Sequence, residues 1–142
     1  MSNLLEVIEL TKFFDMGRNQ RVHAVENVSL TIAEKEIVGL VGESGSGKST
    51  LGKTVLGLHD KTAGQVKFRG EVLPQKYEAK DFRRFATNMQ MIFQDPYSSL
   101  NPRMTIGEIV GEGLKLHQNH DSSIVRDKVA IWLEKVGLHA DH

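Results

Sequence analysis

Ile37-Val38-Gly39-Leu40-Val41-Gly42-Glu43-Ser44-Gly45-Ser46-Gly47-Lys48-Ser49-Thr50 is the stretch on which the fold turns. Its first five residues are continuously apolar, the pattern of a strand covered on both faces in a parallel sheet. They run directly into glycine. From Ser49 the apolar positions Leu51, Val55 and Leu58 return at spacings of four and three, which places them on one face of a helix ending near Gly57. The stretch therefore reads strand, glycine loop, helix. Gly42 to Ser49 satisfies G-x-x-x-x-G-K-[ST], in which glycines let successive backbone N–H groups converge on phosphate oxygens. A side chain at Gly45 or Gly47 would obstruct that approach. The helix starting at Lys48 adds the positive end of its dipole. Lys48 can reach β- and γ-phosphates, the Ser49 hydroxyl suits Mg²⁺, and Thr50 falls near the α-phosphate. A ligand-free glycine turn would look similar, but the strand before and the helix after favour the phosphate reading. A nucleoside triphosphate, ATP with Mg²⁺, is expected on Gly42, Glu43, Ser44, Gly45, Ser46, Gly47, Lys48, Ser49 and Thr50.

Upstream, Leu4 to Leu10 and Val25 to Ile32 alternate apolar with polar residues across a polar loop from Asp15 to Arg21, which predicts an antiparallel pair. Downstream, Gly64 to Val72 reads as a short strand and turn. A charged helix is expected near Ala79 to Arg84, and a strand over Met89 to Phe93. Thr105 with Glu108 forms a capping box ahead of Ile109, Val110 and Leu114. A last helix is expected from Ser122 to Val136. Its predicted buried face is Val125, Val129, Trp132 and Val136, with Gly137 just past its end.

The 142 residues suit one domain of ordinary size. Eighteen basic residues balance eighteen acidic ones, so no global positive field exists to hold a nucleic-acid backbone, and no nucleic-acid partner is expected. The chain has no cysteine, which excludes disulfides and thiolate metal sites and fits a reducing compartment. The opening Met1-Ser2-Asn3-Leu4 lacks a basic leader, and no apolar run approaches the roughly 20 residues that span a bilayer. Any membrane link is expected to go through a partner.

Other residues carry weaker signals. Phe13 and Phe14 follow the first expected strand and offer an aromatic face, though core packing suits either. Gln94 ends the expected strand at Met89 to Phe93, where an amide could meet a metal or a water at a sheet edge. His117 with His120, and His139 with His142, are spaced i, i+3 without a third ligand and read as solvated helix ends or tails. Lys80, Asp81, Arg83 and Arg84 read as a wet helix face. No Asp-Glu dipeptide follows an apolar run, so the acid that would hold Mg²⁺ and polarise water is missing from the chain.

Leu10-Thr11-Lys12-Phe13-Phe14, Gly42 to Thr50, and the string from Ile92-Phe93-Gln94-Asp95-Pro96 to Met104-Thr105 together resemble an ABC transporter ATPase subunit, in particular the second of the paired ATPases of dipeptide and oligopeptide importers. The resemblance covers nearly the whole chain. It implies an α/β P-loop NTPase of the ABC ATPase type, with an N-terminal antiparallel β subdomain and the start of a helical subdomain. Residues 1–94 would be the N-terminal half of the nucleotide-binding core, and residues 95–142 the Q-loop and the beginning of the helical subdomain. Phe14 then matches the adenine-stacking aromatic, and Gln94 the Q-loop glutamine, a catalytic and metal-facing residue. Pro96 to Met104 would dock on transmembrane permease subunits, and a second ATPase subunit would close the site at the cytoplasmic face of the membrane. The chain ends at His142, before the family's signature motif, Walker B acids and switch histidine. It is therefore expected to be an N-terminal half that binds ATP and does not hydrolyse it alone. Two competing readings are a small-molecule P-loop kinase, which phosphorylation of an acceptor would reveal, and a non-catalytic regulatory fragment that occupies a transporter.

Overall fold

The computed structural model describes residues 3–17, 20–95, 97, 99–118 and 121–139. The chain divides into two compact units, Met1–Met91 and Ile92–His142. In the first, β1 (Asn3–Asp15) and β2 (Arg21–Ala33) form an antiparallel hairpin. β3 (Ala63–Phe68) lies on the other side of β1 and β4 (Glu71–Val72) follows it, giving the order β2-β1-β3-β4. The expected pair is thus present with longer strands, and Phe13 and Phe14 lie inside β1 rather than after it.

Strict alternation would put Val7 and Leu10 on opposite faces, yet they are 2% and 0% exposed. A register shift between them turns both inward: Glu9 takes a φ of 47° and its N–H donates to Ser29 Oγ at 2.9 Å. The partner strand bends in the same way at Asn27, φ 49°, whose N–H donates to Thr11 Oγ1 at 3.1 Å. β3 enters against this bulge at Gly64, where a Cβ would lie 2.3 Å from the Glu9 carbonyl oxygen. Arg69 and Gly70, both at positive φ, make the tight turn into β4.

α1 (Lys48–Val55) buries Leu51 and Thr54, and the Thr54 hydroxyl is satisfied by the Thr50 carbonyl at 2.7 Å. Leu58, expected on the same face, is 45% exposed because the helix has already ended: Gly57 is left-handed, and the Leu58 N–H closes on the Lys53 carbonyl at 2.9 Å. α2 (Ala79–Phe85) starts where the Glu78 N–H meets Asp81 Oδ2 at 2.9 Å, and Arg84 grips Glu71 through its two terminal guanidinium nitrogens, each at 2.7 Å. The expected wet face therefore also ties α2 to β4. Val7, Leu10, Val25, Leu51, Val66, Leu73, Tyr77 and Phe85 form the core of this unit, each worth about 1.5–3 kcal/mol on burial for the larger aliphatic and aromatic groups.

Two expected strands are not formed. Neither 37–41 nor 89–93 carries a ladder among the described residues, and Ile37, Val41 and Ile92 are 97%, 95% and 96% exposed. An apolar run has the side chains of a buried strand, but a strand exists only beside a partner that takes its N–H and C=O groups. No described segment forms a ladder with either run.

The second unit is a helical hairpin. α3 (Ile106–Gln118) opens with the expected capping box: the Thr105 N–H donates to Glu108 Oε2 at 2.8 Å and the Glu108 N–H to Thr105 Oγ1 at 3.3 Å. α4 (Ser122–Lys135) ends at the left-handed Gly137, with the Leu138 N–H on the Leu133 carbonyl at 2.9 Å. Leu114 packs with Val125, Val129 and Leu133. The expected face needs correction here: Trp132 and Val136 are 41% and 72% exposed, because α3 covers the i, i+4, i+8 row of α4 and leaves the neighbouring row open. Gly111 lets the helices approach, since a Cβ there would lie 2.9 Å from Val125 Cγ1. Among the described residues, no helix is long and apolar enough to cross a membrane.

Candidate functional site

The loop between residue 41 and α1 is folded around the Lys48 ammonium. Lys48 Nζ donates to the carbonyls of Gly42 and Glu43 at 2.7 and 2.6 Å, and to Ser46 Oγ at 3.2 Å. A turn from the Ser46 N–H to the Glu43 carbonyl, 3.2 Å, shapes the outer edge. Gly45 and Gly47 are left-handed at φ 82° and 91° on either side of Ser46, an alternation of the kind from which anion-binding backbone concavities are built. Gly47 is also the N-cap of α1, so the helix's unpaired N–H groups begin at this loop. Glu43, Ser44 and Ser49 are exposed, while Lys48 and Thr50 are half-buried. The expected phosphate-loop residues thus lie together in one loop at the start of α1.

The sheet fixes this loop from one side. A Cβ on Gly47 would lie 2.0 Å from the Ala24 carbonyl oxygen, so the loop sits directly on the β2 backbone. Beside this contact a groove of about 450 Å³ is lined by His23 and Glu26 of β2 and by Gly42, Ser46, Gly47 and Lys48. Phe13, opposite His23 in the strand register, rests its ring on the imidazole with centroids 4.1 Å apart. Phe14 meets different partners: the His59 ring edge-on at 5.2 Å, and the Lys12 ammonium 4.8 Å from the ring centroid. Burial, and then the charges of Lys12 and Lys53, hold His59 below the usual histidine pKa.

Gln94 stands in the second unit, exposed at a bend. Of the expected docking stretch, Pro96 and Ser98 lie outside the described residues; Tyr97 and Leu100 are 88% and 49% exposed. His120 and His142 also lie outside, His139 is exposed, and among the described residues no group of three or more His, Asp or Glu could hold a metal ion.

Sequence reasoning missed several residues. His23 joins the groove through a cross-strand register that nothing local announces. Lys61 is 5% exposed, donates to the Pro74 carbonyl and lies 5.3 Å from the centroid of the Tyr77 ring; burial lowers its pKa. Tyr77 is itself buried, with no hydrogen-bond partner for its hydroxyl among the described residues, and burial followed by the Asp81 charge pushes that group up to about 12.

The chain resembles YkfD of Bacillus subtilis, 48% identical over 139 residues, which are 97% of this chain and 42% of that protein. It is 44% identical over 140 residues to the oligopeptide transport ATP-binding protein OppF of Streptococcus mutans, covering 98% of this chain and 45% of the relative. It spans about half the length of these relatives or less. A solved structure of the ATP-binding cassette MJ0796, a dimeric post-hydrolysis state bound to ADP and Pi, superposes on 92% of this chain and 56% of its own, with a TM-score of 0.81 and 26% identity. The profile of the ABC transporter family matches residues 25–142, most of the sequence. This chain belongs to the ABC transporter family.

Proposed function

We propose that the chain is part of the ATP-binding subunit of an ABC-type peptide importer, in which ATP binding and hydrolysis drive transport of dipeptides or oligopeptides. The observation that carries this is the loop closed around Lys48: an ammonium already ringed by oxygens, beside two left-handed glycines, is arranged to exchange those oxygens for a triphosphate. Lys48 and the amides of residues 45–50 hold the phosphates, and Phe14 takes the adenine ring. Ser49 and Gln94 would hold Mg²⁺, which would neutralise charge on the phosphate oxygens. Residues 1–94 form the nucleotide-binding part. Residues 95–142 begin the helical part, and residues 96–104 dock on a transmembrane permease subunit. A second ATPase subunit completes the site at the cytoplasmic face. Support comes from the names of the relatives and from the exposure of Tyr97 and Leu100 in the docking stretch.

The assembled transporter offers the test. A cysteine in place of Ser99 should crosslink to a permease subunit, and Lys48→Ala should abolish peptide uptake while leaving assembly intact. Crosslinking from cysteines on the exposed face of α4 but never from position 99 would move the docking surface elsewhere, and unchanged uptake in Lys48→Ala would end the ATPase reading.

A further inference from the structure

The groove beside the phosphate loop holds a titratable group that no reading above uses. His23 is half-exposed on the rim, its Nδ1 3.5 Å from Glu26 Oε2 and its face against Phe13. The next residue, Ala24, is where the β2 backbone touches Gly47. A ring clamped by an aromatic on one side and a carboxylate on the other, one residue from that contact, is positioned more firmly than a free surface histidine. With Nδ1 directed to Glu26, Nε2 is the ring nitrogen available to a ligand in the groove.

We propose that His23 is a nucleotide-positioning residue whose protonated imidazole adds a second cation beside Lys48 to the groove that receives the phosphates. The proposal rests on the nucleotide reading of the loop. Glu26 is on its own strand, Lys48 lines the same groove, and Arg21 and Asp15 pair with each other at 2.8 Å at the hairpin end. Lys12 turns to the Phe14 ring instead. A neutral imidazole whose Nδ1–H faces the Glu26 carboxylate has no proton on Nε2 to give a phosphate, whereas an imidazolium donates a charge-assisted hydrogen bond from it, and histidine is the side chain that makes this change between pH 5 and 8. Nucleotide affinity should therefore rise as pH falls through that range.

Calorimetric titration of the 142-residue chain with ADP in excess Mg²⁺ at pH 6 and pH 8 tests this. The parent should bind about 3- to 10-fold more tightly at pH 6, a charge-assisted contact discounted for its exposed rim. In His23→Gln that ratio should fall close to the part due to the nucleotide's own titration, which is common to every variant, as is His59. Phe13→Leu, which removes the ring supporting the imidazole, should lose most of the effect, while Phe14→Leu should keep it. If His23→Gln retains the parent's pH ratio, even with weaker affinity at both pH values, His23 is only a structural neighbour and the proposal is wrong. No binding by the parent at either pH would remove the nucleotide reading itself, and this proposal with it.

Discussion

Gly45→Ala and Gly47→Ala place the same methyl group two residues apart in the same loop, and the structure separates their consequences. Both glycines are left-handed, at φ 82° and 91°, so an alanine at either costs about 1–2 kcal/mol in backbone strain. At Gly45 nothing lies within 4 Å of the added Cβ, and the cost stops there. At Gly47 the Cβ would meet the Ala24 carbonyl oxygen at 2.0 Å and Val25 Cγ2 at 3.8 Å. Loop or strand must then retreat by roughly 1 Å in an interior packed as tightly as an organic crystal. Overpacking of this kind costs about 1–3 kcal/mol, so Gly47→Ala should lose about 2–5 kcal/mol in all, a large share of the roughly 5–15 kcal/mol that holds a domain together. The retreat also misaligns the N–H groups at the start of α1, so ATP affinity should drop further in Gly47→Ala than in Gly45→Ala. Urea unfolding followed by circular dichroism measures the first difference and calorimetry the second. Equal losses in the two variants, or a Gly47→Ala as stable as the parent, would show that the loop does not rest on β2 as described.

Further outcomes follow from other sites. Tyr77→Phe removes a buried hydroxyl that has no partner among the described residues, so it should leave stability unchanged or raise it by up to about 1–2 kcal/mol; a clear loss in urea unfolding would reveal a partner for that oxygen. Glu108 accepts from the Thr105 N–H, and its pKa is lowered first by that bond. A depressed carboxylate stabilises above its unfolded pKa and loses that contribution as pH falls through its folded value. α3 should therefore fray as pH drops through and below the ordinary glutamate range, and an acid-melting profile unchanged in Glu108→Gln would contradict this. The exposed apolar residues Ile37, Val41 and Ile92 should bind a hydrophobic dye strongly and accompany a broad thermal transition, whereas a sharp melt above about 60 °C without dye binding would mean that these residues are covered. The purified 142-residue chain should release phosphate from ATP no faster than Lys48→Ala does, since Lys48 and Ser49 can hold phosphate and metal but are no general base; turnover well above that control would identify one.

Much of this arrangement was legible in the residue order because it is local. The phosphate loop, the Gly57 and Gly137 stops, and the Thr105–Glu108 box each depend on residues within a few positions of one another. Long-range features were not legible. Ile37 to Val41 has the composition of a central strand, but pairing is a property of two segments, and no described segment pairs with it. The bulges at Glu9 and Asn27 depend on how two strands meet the core, and they overrode the period-two pattern at Val7 and Leu10. The choice of Leu133 over Trp132 on α4 depended on which row α3 covers. In the site, Phe13 and Phe14 were indistinguishable as neighbours in sequence; only the register of β1 on β2 sets one on His23 and the other on His59.

The central claim is that the Lys48 loop binds ATP, and calorimetry of the parent chain and Lys48→Ala with Mg-ATP tests it most directly. The account predicts saturable binding by the parent and a 10- to 100-fold loss in the variant, the equivalent of about 1.5–3 kcal/mol of charge-assisted contact. Equal affinity in the two, or no binding by a folded parent, would contradict it.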